Sequence, residues 1–196
     1  MDDKKIKKLV LSALFAAITC VVTMMIRVPS LGPDGYANIG DTIVLLSAWL
    51  IGGVWGGLAA GIGSGLADFF AGYGHFVPGT TVIKGLMAVA AYLVFTGVIK
   101  VSGVKNSESK ETKKGVLDTK KAVAYVVSAI VAELVMIAGY FVFEIVFLSY
   151  GVGAFGAAVS NSFQALTNVV LSVVVINALE KARAVSFIKR IVGKTA

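Results

Sequence analysis

Six ionisable side chains stand at or inside the edges of otherwise apolar stretches of this 196-residue chain: Arg27, Asp41, Asp68, Lys84, Glu133 and Glu144. A charge within a long apolar segment is costly, so such groups face a protein interior or a wet cavity and mark functional positions by default. The chemistry open to them is charge pairing with a ligand, proton exchange, or acid–base work by a carboxylate pair such as Glu133 and Glu144. Asn161, Gln164 and Asn168 are spaced three then four apart, which places three amides on one helical face. Glu133, Ile137, Tyr140 and Glu144 form a similar face. Tyr36, Asn38, Tyr73 and His75 lie in or beside Gly- and Pro-rich segments. Aromatics that stack on a ring and amides that read its edges describe a pocket for a small heterocycle.

Each of these residues also has a plainer reading. Asp41 can N-cap the helix that follows it, and Asp68 and Lys84 can form an ion pair between neighbouring helices. Arg27 can snorkel to a membrane interface. The amides can bond between helices, and Trp49 and Trp55 fit an interfacial belt. The chain has no Walker A sequence, HExxH or GxSxG, and holds one histidine and one cysteine, Cys20. No multi-histidine metal site and no intrachain disulfide can form from that set. The expectation is therefore a binding protein with no catalytic residue, metal or cofactor.

The elements that position these groups follow from composition. The chain is 57% hydrophobic and 15% charged, against ~25% charged in soluble domains. A hydrocarbon core needs ~20 helical residues. On that ruler the chain reads as an all-α membrane protein, a six-transmembrane-helix bundle forming a single integral membrane domain over 1–196. The spans fall at about 9–27, 39–51, 54–71, 80–100, 122–148 and 154–179, with a charged linker at 101–121. Val28–Asn38 and Gly72–Gly79 are loops, and Gly52-Gly53 is a tight turn. The apolar run Leu9–Ile26 is long for a cleaved signal peptide and no small-x-small site follows it, so it reads as a first span. In the third span Gly53, Gly57, Gly61 and Gly65 fall four apart beside a row of Gly52, Gly56, Ala60 and Ser64. Small residues at that spacing let helix backbones approach closely, so this helix should be central.

Net charge is +7, and 16 of the 18 Lys and Arg residues lie in three blocks, Lys4–Lys8, Lys100–Lys121 and Lys181–Lys194. Six spans put all three blocks on one side, which the positive-inside rule makes cytoplasmic, with both termini there. Basic residues in that pattern meet lipid headgroups rather than nucleic acid. The polar residues of the spans gather toward the other side, as in a pocket open to the outside.

Several segments resemble a known family. Gly35-Tyr36-Ala37-Asn38-Ile39-Gly40-Asp41, Ala67-Asp68-Phe69-Phe70-Ala71-Gly72-Tyr73 and Pro78-Gly79-Thr80-Thr81-Val82-Ile83-Lys84-Gly85 are similar to substrate-binding S components of energy-coupling factor (ECF) vitamin transporters. So are Gly139-Tyr140-Phe141-Val142-Phe143-Glu144 and Asn161-Ser162-Phe163-Gln164, with the riboflavin-type subgroup the nearest in pattern. Ala37 and Ile39 depart from that pattern, as does Ser160, where a proline is common. The resemblance implies capture of a vitamin or precursor outside the bacterial plasma membrane. It also implies partnership with a transmembrane coupling protein and two cytoplasmic ATPase subunits, and toppling to release cargo. Ala13 and Ala17 match the family's alanine-x-x-x-alanine surface for the coupling protein, a strip that Ala16 and Cys20 would widen. Tyr36, Asn38, Tyr73, His75, Lys84, Glu144, Asn161 and Gln164 are the expected substrate-binding residues. Riboflavin, a vitamin B6 form and a thiamin-precursor pyrimidine all fit, whereas pantothenate would need Lys84 or Arg27 unpaired. Two rival readings are a stand-alone carrier coupled to an ion gradient through Asp68 or Glu133, and a membrane-embedded enzyme using Glu133 and Glu144.

Overall fold

The computed structural model describes residues 3–103 and 119–193, so most of the expected 101–121 linker lies outside the described residues. The order is α1 (Asp3–Met25), β1 (Arg27–Pro29), β2 (Tyr36–Asn38), α2 (Asp41–Leu50), α3 (Gly53–Phe70), α4 (Val77–Val101), α5 (Thr119–Val146), α6 (Gly153–Lys181) and α7 (Ala184–Val192). Among the described residues four helices, α1, α4, α5 and α6, are long and apolar enough to cross a membrane. Their outer faces carry exposed Leu, Val and Phe such as Val10, Leu93, Leu134 and Leu166, as contact with hydrocarbon demands.

α2 is different. All of its ten residues except Ile43 are buried, as expected of a helix apolar on every side. Trp49 is 2% exposed and its indole N–H donates to Ser128 Oγ at 3.0 Å, with its ring edge-on to Tyr125. An interfacial-belt position for Trp49 is thereby overturned: it is a core residue whose polar atom is satisfied inside the protein.

α3 is the central packing element. The turn into it uses Gly52 and Gly53 at positive φ, 79° and 53°, a region that side chains with a Cβ avoid. Along the helix, a Cβ on Gly57 would press on Val89 and the Gly85 carbonyl of α4. One on Gly61 would land on the Thr81 carbonyl oxygen, and one on Gly65 on the Thr81 hydroxyl. Gly56 faces the Ser47 carbonyl of α2, and Gly63 lies on the backbone of Ala16 in α1. The four-residue comb therefore seats α3 on α4, and the glycines between them seat it on α2 and α1. Ala16 and Cys20 consequently face inward and are buried, while the adjoining Ala13 and Ala17 of α1 are exposed. The expectation that Ala16 and Cys20 widen the Ala13–Ala17 strip is corrected by their burial: they adjoin that strip on the helix but pack into the protein.

Two elements were not foreseen. Val28–Asn38, read as a loop in an all-α chain, contains a two-stranded antiparallel ribbon with Arg27 opposite Asn38, Val28 opposite Ala37 and Pro29 opposite Tyr36. Three residues per strand are too few for a period-two pattern to show, and Pro29 is tolerated because it stands at a strand end. The basic tail contains α7, entered through Arg183 in the left-handed region at φ 58°. Val185 and Val192 of α7 are buried, while Phe187 is exposed.

The α3–α4 contact yields a paired prediction. Gly61→Ala should cost about 1–3 kcal/mol by overpacking, read as a lower melting temperature in detergent. Gly97→Ala on α4, where a Cβ meets nothing within 4 Å, should be neutral or stabilising by up to about 1 kcal/mol.

Candidate functional site

The segment 27–42 has few apolar residues to bury, yet it is ordered, because α6 supplies side chains for its backbone. Ser160, Gln164 and Asn168 stand four apart on one face of α6. Ser160 Oγ accepts from the Leu31 N–H at 2.8 Å. Gln164 Oε1 accepts from the Asn38 N–H at 2.8 Å. Asn168 Oδ1 accepts from the Thr42 N–H at 2.9 Å, and its amide donates to the Asn38 carbonyl at 2.9 Å. Backbone contact finishes the seat: a Cβ on Gly156 would strike the Leu31 carbonyl, and one on Gly32 would strike Ala157. Each of these bonds gives a backbone group of the segment a fixed protein partner in place of water.

Beneath the ribbon lies a buried ion pair. Lys84 of α4 donates to Asp41 Oδ1 at 2.5 Å, with the two side chains 3% and 1% exposed. Gln164 Nε2 donates to the other carboxylate oxygen, Asp41 Oδ2, and the Lys84 ammonium sits 5.3 Å from the Tyr140 ring centroid. Two earlier expectations change here. Asp68 does not pair with Lys84 directly; it accepts the Tyr36 hydroxyl at 2.6 Å. Asp41 does not cap α2, whose N-cap is Gly40 with no side-chain bond. The requirement that a buried ammonium be paired outweighs a capping bond that water or backbone can replace.

Between the ribbon, the α3–α4 connection and the ends of α5 and α6 is a narrow cleft with room for about 40 Å3, lined by aromatic and polar groups of the kind small-molecule sites use. Tyr36, Asn38, Glu144, Asn161 and Gln164 line it as expected. Lys84 does not, being sealed under the floor by Asp41 and Gln164. Tyr73 and His75 stand just outside the lining. Tyr73 lies 4.9 Å from the Tyr36 ring, and His75 Nε2 is 3.1 Å from Asp34 Oδ2, both side chains 45% exposed. Sequence reasoning did not place Ser30, Asp34, Gly35, Phe76 or Thr80 in the cleft, and named Asp68 and Tyr140 without assigning them to it. Thr80 and Phe76 gave no charge or amide signal; both arrive because α4 begins at Val77, three residues earlier than expected, with Pro78 in its first turn.

The walls are aromatic and the polar atoms are mostly engaged. The Tyr140 hydroxyl donates to Thr80 Oγ1 at 2.9 Å. Burial pushes the Tyr36 phenol well above its ordinary range, and the adjacent Asp68 carboxylate pushes it the same way. Tyr36 thus stays a hydrogen-bond donor to Asp68 at any physiological pH. Glu144 Oε2 is the exception, a buried oxygen with no partner. Glu133 also has both oxygens buried and unpartnered, but it does not line the cleft. Eleven residues separate it from Glu144 on α5, about 16 Å along the helix axis. Two carboxylates that far apart cannot act together on one bond.

Comparison with known proteins follows the same lines. A solved structure described as "Structure and mechanism of the S component of a bacterial ECF transporter" superposes with a TM-score of 0.58, covering 94% of this chain and 99% of that one at 18% identity. At that identity the likeness speaks for the fold. Residues 3–184 match the ECF-type riboflavin transporter S component family. The chain belongs to that family. It is thereby a multi-pass membrane protein of the transporter S-component class. A Pyrococcus woesei protein, named only as an uncharacterized protein in the gap 3' region, is 45% identical to this S component over 69 residues. That match spans 35% of this chain and 46% of the relative, about half its length.

The ion pair under the cleft gives the S component a stability signature. Asp41→Asn or Lys84→Met alone should each cost about 3–5 kcal/mol, because each leaves a buried charge without its partner. The double substitution should recover much of that loss. Thermal unfolding of the four proteins in detergent checks both statements.

Proposed function

We propose that this protein is the substrate-capture subunit of an ECF-type importer, binding a vitamin or vitamin precursor in the cleft beside the ribbon for uptake driven by partner ATPases. One observation carries the reading. The cleft is walled by aromatic rings and amides and held by an ordered ribbon tied to α6 through backbone bonds, a lining whose chemistry suits a heterocyclic ligand. Tyr36, Asn38, Glu144, Asn161 and Gln164 contact the cargo, Tyr73 and His75 form its rim, and Lys84 holds the floor.

In this reading the chain is one integral membrane domain with six spans. α2 and α3 form a short internal pair, and both termini face the cytoplasm of a bacterial cell, where the three basic blocks lie. The cleft then opens outward. The exposed Ala13 and Ala17 on α1 offer a small-residue surface to a transmembrane coupling protein, which joins this subunit to two ATPases. A second reading, a stand-alone carrier coupled to an ion gradient, is favoured by the unpartnered buried carboxylate of Glu133.

Two measurements test the proposal. Denaturing the purified protein should release a small heterocyclic molecule identifiable by mass spectrometry; uptake by the isolated protein in vesicles, driven by an imposed proton gradient, would sink the proposal in favour of the carrier. Replacing Ala13 and Ala17 together with Phe should abolish cellular uptake while leaving ligand affinity within about twofold, since the two sites lie on different helices and faces. Loss of binding in that variant would assign the alanines to internal packing instead.

A further inference from the structure

The family description names riboflavin, a neutral molecule, but the charges around this cleft favour a different chemistry. Three ionisable acids, Asp34, Asp68 and Glu144, line it, and no Lys or Arg does. The nearest basic side chains are already engaged. Lys84 is sealed beneath the floor on Asp41, His75 is paired with Asp34, and Arg27 sits against the Tyr36 ring, 5.7 Å from its centroid. Two of the three acids are also occupied. Asp34 accepts from its neighbour's Gly35 N–H and faces His75, and Asp68 accepts from Tyr36. Glu144 is left with Oε2 unpartnered, although its side chain is only 3% exposed and it lines the cleft.

Tyr36, Phe76 and Tyr140 line the same cleft as Glu144; Phe76 and Tyr140 are 6.5 Å apart at their centroids. A carboxylate with aromatic faces beside it is the recognition chemistry of organic cations. An anionic ligand would meet like charges with no compensating cation, and a neutral one would leave the carboxylate's charge unbalanced, whereas a cation pairs with it.

We infer that the cleft selects an organic cation, a protonated amine or cationic nitrogen heterocycle, with its charged nitrogen at the Glu144 carboxylate and its ring against Tyr36 and Phe76. This rests on the capture function proposed above and names the class of its cargo. The charge-assisted bond to Glu144 sets the preference, while Asp68 and Asp34 add a field of the same sign.

The test is a binding panel on the full chain in detergent at neutral pH, read by isothermal titration calorimetry. The probes are thiamin and pyridoxamine as cations, riboflavin as a neutral ring and pantothenate as an anion. At least one cation should bind ten times more tightly than riboflavin and pantothenate. Glu144→Gln should weaken that cation tenfold or more and weaken it several times more than it weakens riboflavin. Riboflavin or pantothenate binding as tightly as the cations would overturn the selectivity and leave capture standing. Binding of no probe would overturn it as well, with capture then judged separately by the mass of the co-purified molecule. An equal loss for charged and neutral probes in Glu144→Gln would assign Glu144 to packing and overturn its anchoring role. Should that variant fail to fold, the wild-type ranking decides alone.

Discussion

The Asp41 carboxylate is the point on which the rest of this structure hangs. Its two oxygens accept from different helices, one from Lys84 of α4 and one from Gln164 of α6, while Asp41 itself opens α2. Three helices therefore share one charge that is all but sealed from solvent. A buried pair of this kind contributes little net stability compared with apolar packing, but leaving either member alone is expensive. Its effect is to specify one arrangement: α2, α4 and α6 must meet at this depth and in this rotation or a charge is stranded. Asn38 extends the arrangement to the ribbon through Gln164, so the cleft's wall and floor are set by the same group.

The glycines of α3 solve the complementary problem. Lipid provides no hydrophobic drive between helices, and association rests on close van der Waals contact. Gly57, Gly61 and Gly65 bring α3 against the backbone of α4, and Gly56 brings it against the Ser47 carbonyl of α2. That proximity places Asp68, near the end of α3, within reach of Tyr36 on the ribbon. Packing by small residues and polar recognition are thus not separate features. The first brings the helices near enough for the second to operate.

Much of this was legible before any coordinates. The long apolar runs marked α1, α4, α5 and α6, and the four-residue glycine period marked the closest helix contact, because both are set by local geometry along one chain segment. Five of eight expected cleft residues line the cleft, since polar groups in an apolar span have few places to go. What failed was partner choice. Asp68, Asp41 and Lys84 were legible as charges, but which pairs with which depends on the rotation of α2, a short helix buried on every side. Trp49 misled for the same reason: its position near a turn suggested an interface, whereas its ring is buried in the core against Ser128 and Tyr125. The ribbon was hidden because its order comes from Ser160, Gln164 and Asn168, more than a hundred residues away. Ser160 had been noted only as a departure from a common proline; its hydroxyl holds the Leu31 N–H, a bond proline has no side-chain acceptor to make.

Gln164 repays a closer look as an asymmetric object. Its amide nitrogen must face Asp41 and its amide oxygen must face the Asn38 N–H. Turning the group end for end would set oxygen against carboxylate and N–H against N–H, two repulsions at once. A glutamine on an open surface can swivel to present donor or acceptor as a visitor requires; this one cannot. The floor of the cleft therefore has a fixed handedness of polarity, like a socket keyed for one plug. Two ligands of the same outline with donor and acceptor exchanged along that edge would be told apart by the protein without any movement on its part.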